Sequence, residues 1–287
     1  MSEIKEKELL VELNKLIQIN YKRSKQSEIL LKELETVDNQ IIEYDKVKSQ
    51  FLSNIRNEIN NPLTAILGMS ANLANRSIEK EEVHKTSNLI YQEAFDLNFQ
   101  LKNIFIAAEL QAGELIPEIV NARIPELIAQ ITKEFQHKTD KKKLTITLTN
   151  KLESDTFRTD SEKIYLMLSN LLANAIENSE LKGNINFEIK IVQGELAIIV
   201  QYFGIGIKLD DSTNIYDRFK QLEEGSIKGF GGYVGLSIIK ELLELLGGKI
   251  SVESEVMVGS TFTLFIPEGI AQEDLNAQFG ANEFLFE

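Results

Sequence analysis

A long heptad seam opens the chain and limits what it can fold into. Positions spaced alternately four and three apart read Leu9, Leu13, Leu16, Asn20, Arg23, Ser27, Leu30, Leu34, Val37, Ile41, Tyr44, Lys48, Phe51 and Ile55, with no glycine or proline before Pro62. A seam held over so many turns predicts a coiled coil, because its apolar stripe faces a partner helix at every turn. One long helix packed on its own domain is the alternative. The middle of the seam, at Asn20, Arg23 and Ser27, is polar. Such positions set register or partner number at some cost in stability. A second seam follows at Val83, Ser87, Ile90, Ala94, Leu97, Leu101, Ile104 and Ala108, after a short polar connection over 75–80. Two antiparallel helices joined this way leave an apolar stripe that one hairpin cannot cover. A second copy would cover it, so a homodimer through a four-helix bundle is expected.

Composition narrows the chemistry. With 287 residues, 43% hydrophobic and 26% charged, the chain has room for about two soluble domains. A net charge of −13 argues against a general nucleic-acid or anionic-membrane binder. There are no cysteines, which removes disulfides, thiolate nucleophiles and cysteine-ligated zinc. The two histidines, His84 and His137, lie far apart in sequence and make no metal cluster; both are expected at the surface. No apolar signal core and no membrane-length apolar stretch is visible, so a cytoplasmic location is expected.

After Gly113 the pattern changes from long helices to mixed α and β. An amphipathic helix is expected over 124–136 and a half-buried strand over 144–149. Asp160 should cap a helix running to about Asn178. Strands follow over 185–192 and 196–201, then a glycine-punctuated loop, a helix over 234–246, and strands over 249–253 and 261–267. The last residues carry no period. They place Phe279, Phe284, Leu285 and Phe286 among acids and amides, as a mobile tail with an apolar end would.

This order of motifs resembles the core of a sensor histidine kinase, over roughly residues 45–268. Residues 51–66, which include Phe51, Asn57, Glu58, Asn61 and Pro62, look like the family's phosphoacceptor box. Asn170-Leu-Leu-Ala-Asn174-Ala resembles the asparagine box that holds magnesium. Tyr202-Phe-Gly204-Ile-Gly206-Ile resembles the first glycine box, residues 215–219 the phenylalanine box, and Gly231-Gly-Tyr233-Val-Gly235-Leu-Ser-Ile the second glycine box. Gly259-Ser-Thr-Phe262 fits the closing strand. Six motifs in the right order identify the fold where any one would not. The resemblance implies a coiled-coil signalling helix (1–45), a dimerising helical hairpin (46–112), a Bergerat, or GHKL-type, α/β-sandwich ATPase-like domain (113–268) and a tail (269–287).

The departures fall on the chemical residues. The phosphoacceptor position holds Asn57. A carboxamide nitrogen shares its lone pair with the carbonyl and is a very poor nucleophile, whereas a neutral imidazole has one to give. Glu58, which the family uses to orient or deprotonate the histidine, has nothing to activate. Tyr202 stands where the family has an aspartate that accepts from the adenine amino group. Its ring is expected in the space of the base. Glu177 and Asn178 replace a basic and an aromatic residue, and Tyr233 replaces a glycine beside the phosphates. Asn170, Asn174, Gly204, Gly206, Gly231 and Gly235 survive, although caps and turns alone could explain them.

The resemblance, with these departures, implies a pseudo-histidine kinase: a dimeric scaffold or regulator of a response-regulator receiver domain or a partner histidine kinase. No cofactor is expected, with ATP and magnesium, the latter on Asn174, only if the degenerate pocket still binds. Two rivals remain open. One is a receiver phosphatase, since Glu58 and Asn61 lie one helical turn apart where the family carries its phosphatase motif. There, the opposing reading is that Asn61 merely precedes Pro62 at a helix kink. The other rival is a nucleotide-responsive switch.

Overall fold

The structure is a computed structural model that describes residues 55–74, 79–207 and 230–269, with scattered helical residues between 13 and 53. Two units separate along the chain, 1–55 and 56–287. In the first, the described residues are helical, and the seam leucines Leu13, Leu16 and Leu34 are exposed in the single chain. Most of the heptad seam, the 75–78 connection, the phenylalanine box and the tail beyond 269 lie outside the described residues.

The second unit begins within helix α1 (55–74), which stays helical through Pro62. Helix α2 (Lys80–Ala112) follows, 33 residues long and therefore about 50 Å. It ends where the Gly113 N–H reaches back to Leu110 O at 3.1 Å.

Beyond it come β1 (Val120–Arg123), α3 (Ile124–Glu134), α4 (Gln136–Lys142), β2 (Thr145–Asn150), β3 (Thr156–Thr159), α5 (Ser161–Asn178), β4 (Asn184–Val192), β5 (Glu195–Phe203), α6 (Phe230–Leu245), β6 (Lys249–Glu255) and β7 (Gly259–Ile266). The main sheet runs β2-β4-β5-β7-β6, with β2 parallel to β4 and every other pair antiparallel. The short pair β1–β3 forms a separate ribbon. The helical region followed by an α/β sandwich is thus the architecture the motif order implied.

Period-2 alternation buries one face of the sheet: Ile185, Phe187 and Ile189 of β4, Leu196, Ile198 and Val200 of β5, and Phe262, Leu264 and Ile266 of β7. Helices α5 and α6 cover that face. In α5 the buried positions Ile164, Leu168, Leu171 and Ala175 recur at helical spacing. Asp160 starts α5 as expected, with Oδ1 accepting from the Lys163 N–H at 3.0 Å. Its Oδ2 accepts from the Glu118 N–H at 2.8 Å, so both oxygens of this buried carboxylate are satisfied.

Four details differ from the sequence reading. The helix expected over 124–136 breaks at Phe135, whose ring is needed in the core, and a second helix, α4, follows. Strands β1 and β3 were too short to show a period. Strand β5 continues two residues past 201, carrying Tyr202 into the sheet. Helix α6 starts at Phe230, so the second glycine box lies within its first turns, not in the loop before it.

Candidate functional site

The residues the motifs single out fall into two places. Asn57, Glu58 and Asn61 lie on α1, where Asn57 and Asn61 are exposed and Glu58 is half-buried. Asn57 and Asn61 are four apart and Glu58 and Asn61 three apart, so the three side chains share a stretch of one helix face.

The second place is the C-terminal half of α5 and the end of β5. Tyr202 is 1% exposed. It continues the buried alternation of β5, and its ring stacks on Phe262 of β7 at 6.4 Å and 15°. In the ladder it faces Ile185 on one side and Ser260 on the other. Its hydroxyl lies beside Ser260 without a well-formed hydrogen bond. Burial raises the phenol above its ordinary pKa, with the Ser260 hydroxyl opposing and the Glu177 carboxylate adding to the rise.

Asn174 is buried, and its Oδ1 accepts from Asn178 Nδ2 at 2.5 Å; the same Nδ2 lies 2.8 Å from Asn174 O. The Nδ2 of Asn174 has no protein partner. Asn178, one of the residues that depart from the family pattern, therefore holds the carboxamide oxygen that the resemblance assigns to magnesium.

Asn170 is also buried and fully engaged. Its Nδ2 donates to Leu166 O and to Asn103 Oδ1, and its Oδ1 accepts from Asn103 Nδ2, all at 2.9 Å. Gly235 of α6 packs against it so closely that a Cβ there would meet Asn170 Oδ1 at 2.5 Å. The other surviving glycines have equally local reasons. At Gly204 a Cβ would strike the Asn178 carbonyl, where Gly204 bridges to Ser179. Gly206 has φ +68° and lies against the Glu255 carbonyl. Gly231 is helical, in the first turn of α6.

Two features were not foreseen from sequence. Lys142, at the end of α4, places Nζ 2.8 Å from Ile176 O, 2.6 Å from Glu177 O and 3.3 Å from Ser179 O. It thereby supplies a cation to the carbonyl end of α5. Nothing in the local sequence of Lys142 points to this.

The other feature is the docking of α2. Phe95 and Phe99 set their edges on Phe135 at 5.2 and 5.5 Å. His137 packs edge-on to Phe95 at 4.9 Å and Tyr91 at 6.4 Å. It was expected at the surface and is instead half-buried, because α2 lies over it. Burial lowers its pKa, against the Asp96 carboxylate and the Glu134 carbonyl that raise it, with Lys138 lowering it and Asp140 raising it further. Nearby, Tyr165 donates to Glu134 Oε2, and burial, with Glu134, pushes its phenol up to about 12. Among the described residues there is no metal-holding cluster of acids and histidines and no helix long and apolar enough to cross a membrane.

Comparison with known proteins agrees with this architecture. Residues 47–113 match the model for the His Kinase A (phospho-acceptor) domain. Residues 159–270 match that for the histidine kinase-, DNA gyrase B- and HSP90-like ATPase. The chain is 30% identical over 227 residues to the circadian input-output histidine kinase CikA of Synechococcus elongatus, covering 77% of this chain and 30% of that protein. It spans less than a third of the first curated relatives it matches. Full-length ShkA in complex with AMPPNP shares the fold at TM-score 0.56 and 23% identity, over 77% of this chain and 46% of that one. Histidine kinase ThkA in complex with the response regulator TrrA does so at TM-score 0.50 and 23% identity, over 78% and 63%.

Proposed function

Because the chain carries a sensor histidine kinase core, phosphoacceptor-type helices followed by an ATPase-like domain, we propose that it is a pseudo-histidine kinase that signals by binding rather than by phosphotransfer. The observation that carries this reading is Tyr202, buried and stacked on Phe262 where the family places its adenine-recognising aspartate. A base entering there would have to displace a ring that is part of the core. As arranged, Asn174 with its Oδ1 on Asn178 and Asn170 tied to Asn103 do not fit magnesium and a nucleotide either. No step is routed through ATP on this reading. Asn57 supports it independently, since the nitrogen of this exposed carboxamide shares its lone pair with the carbonyl and is a very poor nucleophile toward a phosphoryl group.

The partner we propose is a response-regulator receiver domain or a competent histidine kinase, met on the cytoplasmic side by a homodimer built from the hairpin over 46–112. ThkA, in complex with TrrA, offers the precedent for a receiver. The N-terminal seam would pass the signal as a change of helix packing. A thermal-shift titration with ATP or ADP and magnesium tests the pocket, because a ligand that binds only the folded form raises the melting temperature. We expect no rise at millimolar nucleotide; a concentration-dependent rise would make the chain a nucleotide-responsive switch.

The second reading, a receiver phosphatase, is favoured by one observation: Asn61 is exposed and one turn from Glu58. Its amide could orient a water for in-line attack on an aspartyl phosphate without any histidine. Catalytic loss of phosphate from a phosphorylated receiver, abolished by Asn61→Ala, would establish that reading over the scaffold.

A further inference from the structure

Six large apolar side chains lie bare at one end of the main sheet. Phe203 closes β5 and Ile205 follows it. Val256, Met257 and Val258 form the turn between β6 and β7, and Leu181 sits in the turn between α5 and β4. All six are 49–74% exposed. Backbone hydrogen bonds tie the three segments into one surface. The Glu180 N–H donates to Phe203 O at 3.2 Å, the Gly204 N–H to Val258 O at 3.2 Å, and the Met257 N–H to Ile205 O at 2.7 Å. A single exposed apolar residue is ordinary, whereas a contiguous group of this size marks an interaction site.

Met257 at the tip of the β6–β7 turn has φ +64°, a left-handed conformation that glycine or asparagine adopts more easily. The turn gains nothing from methionine. What the residue supplies is a flexible, polarisable side chain that moulds itself to a bound apolar group. On the Leu181 side the surface is bordered by the exposed Lys141, Lys143 and Lys182, brought alongside where the Lys182 N–H donates to Lys142 O at 2.9 Å. Glu180 and Glu255 are the exposed acids of the same segments. A basic border is unusual in a chain of net charge −13, and with the apolar patch it fits a segment that is both aromatic and acidic.

The chain carries such a segment. Residues 270–287 hold Phe279, Phe284, Leu285 and Phe286 together with Glu273, Asp274, Glu283 and Glu287, and no lysine or arginine. Its root is fixed at Gly269, whose N–H donates to Arg158 O of β3 at 2.8 Å. The patch lies at the Gly259 end of β7 and the segment leaves from the Ile266 end, about 25 Å away. The residues between Gly269 and Phe284 span up to about 50 Å when extended, so the aromatic end reaches the patch with chain to spare. Tethering gives it an effective concentration of millimolar order, which a separate partner or a second copy has to exceed.

We propose that the apolar end of the sheet is a docking site for a short acidic, aromatic segment, and that residues 283–287 of the same chain occupy it. Phe284 and Phe286 cover the bare apolar side chains, and the flanking acids meet the lysine border. The site is separate from the phosphoacceptor-type helix and does not depend on whether nucleotide binds.

Disulfide trapping on the full chain tests this, because the sequence has no cysteine of its own. One variant combines Met257→Cys with Leu285→Cys. Its control combines Ile191→Cys with Leu285→Cys, since Ile191 is 47% exposed and lies at the end of the sheet from which the segment leaves. A segment that only wanders meets position 191 first. Docking predicts that under oxidised glutathione the 257–285 pair closes within one chain at least about tenfold faster than the 191–285 pair. Adding Phe284→Ser and Phe286→Ser should bring the two rates together. Equal or slower closure at 257, or no closure at all, overturns the proposal. So does a rate that survives the two serines, and so does closure mainly between chains, which would give the patch to a second copy.

Discussion

The two places where this chain departs from its family differ in how deeply the departure is set. Asn57 is exposed on α1, with no burial to hold it there. Tyr202 is 1% exposed, stacked on Phe262 and held between two ladders of the sheet. Reversing the first changes a nucleophile and little else. Reversing the second removes a ring from the core and puts a carboxylate under the sheet. A departure at a surface can be reversed by one substitution, whereas a departure set into a core is part of the stability of the fold.

The largest expected effect tests the buried side. Tyr202→Asp should lower unfolding free energy by about 3–5 kcal/mol, combining a cavity with an unpaired buried charge. Denaturant titration measures this. A loss under about 1 kcal/mol would mean that the site accommodates a carboxylate and would erase the contrast.

Lys142→Met asks how much of the pocket wall depends on a contact outside it. The substitution keeps an apolar stem and leaves the carbonyls of Ile176, Glu177 and Ser179 without their cation. A charged donor in this position contributes about 1.5–3 kcal/mol, read in the same titration. No change would show that the end of α5 needs no cation.

A smaller effect is expected at His137, which is half-buried. Its folded pKa is depressed below the ordinary 6.5, chiefly by burial. The neutral ring is therefore the one that α2 covers. The stability it contributes is fully present above about pH 6.5 and is lost as pH falls through the depressed value. Asp96 of α2 faces it with a carboxylate, and Lys138 and Asp140 flank it on α4. Exchange over 91–107 should accelerate with falling pH, after correction for intrinsic rates, in wild type more than in His137→Phe. Equal pH slopes would remove His137 from the account.

The smallest effect belongs to the exposed side. Asn57→His should change unfolding free energy by no more than about 0.5 kcal/mol, as surface substitutions do. On the pseudokinase reading it should also give no transfer of radiolabel from ATP, since Tyr202 remains buried against Phe262. Robust labelling of this single variant would show that only the acceptor was lost.

Some of the contrast was readable before any coordinates. The Leu196, Ile198, Val200 alternation extends without a break to Tyr202, so its burial was available as a period-2 signal. Ending the strand at 201, ahead of the glycines, concealed it. Helix α2 carried two stripes at once: the heptad seam through Leu97 and Leu101, and the four-spaced stripe through Phe95, Phe99 and Asn103. Periodicity finds both stripes. It has no means of saying which one meets the ATPase-like domain.

The sequence alone determined the order of elements, the amphipathic faces, the cap at Asp160 and the absence of an imidazole at position 57, because each depends on neighbours within a turn or on covalent identity. Tertiary structure decided the pairings. Asn103 reaches Asn170 across 67 residues, and Lys142 reaches Ile176 O across 34. Such pairs depend on how whole faces turn toward one another. That orientation is set by the packing of α2, α4 and α5 together, and no local run of residues encodes it.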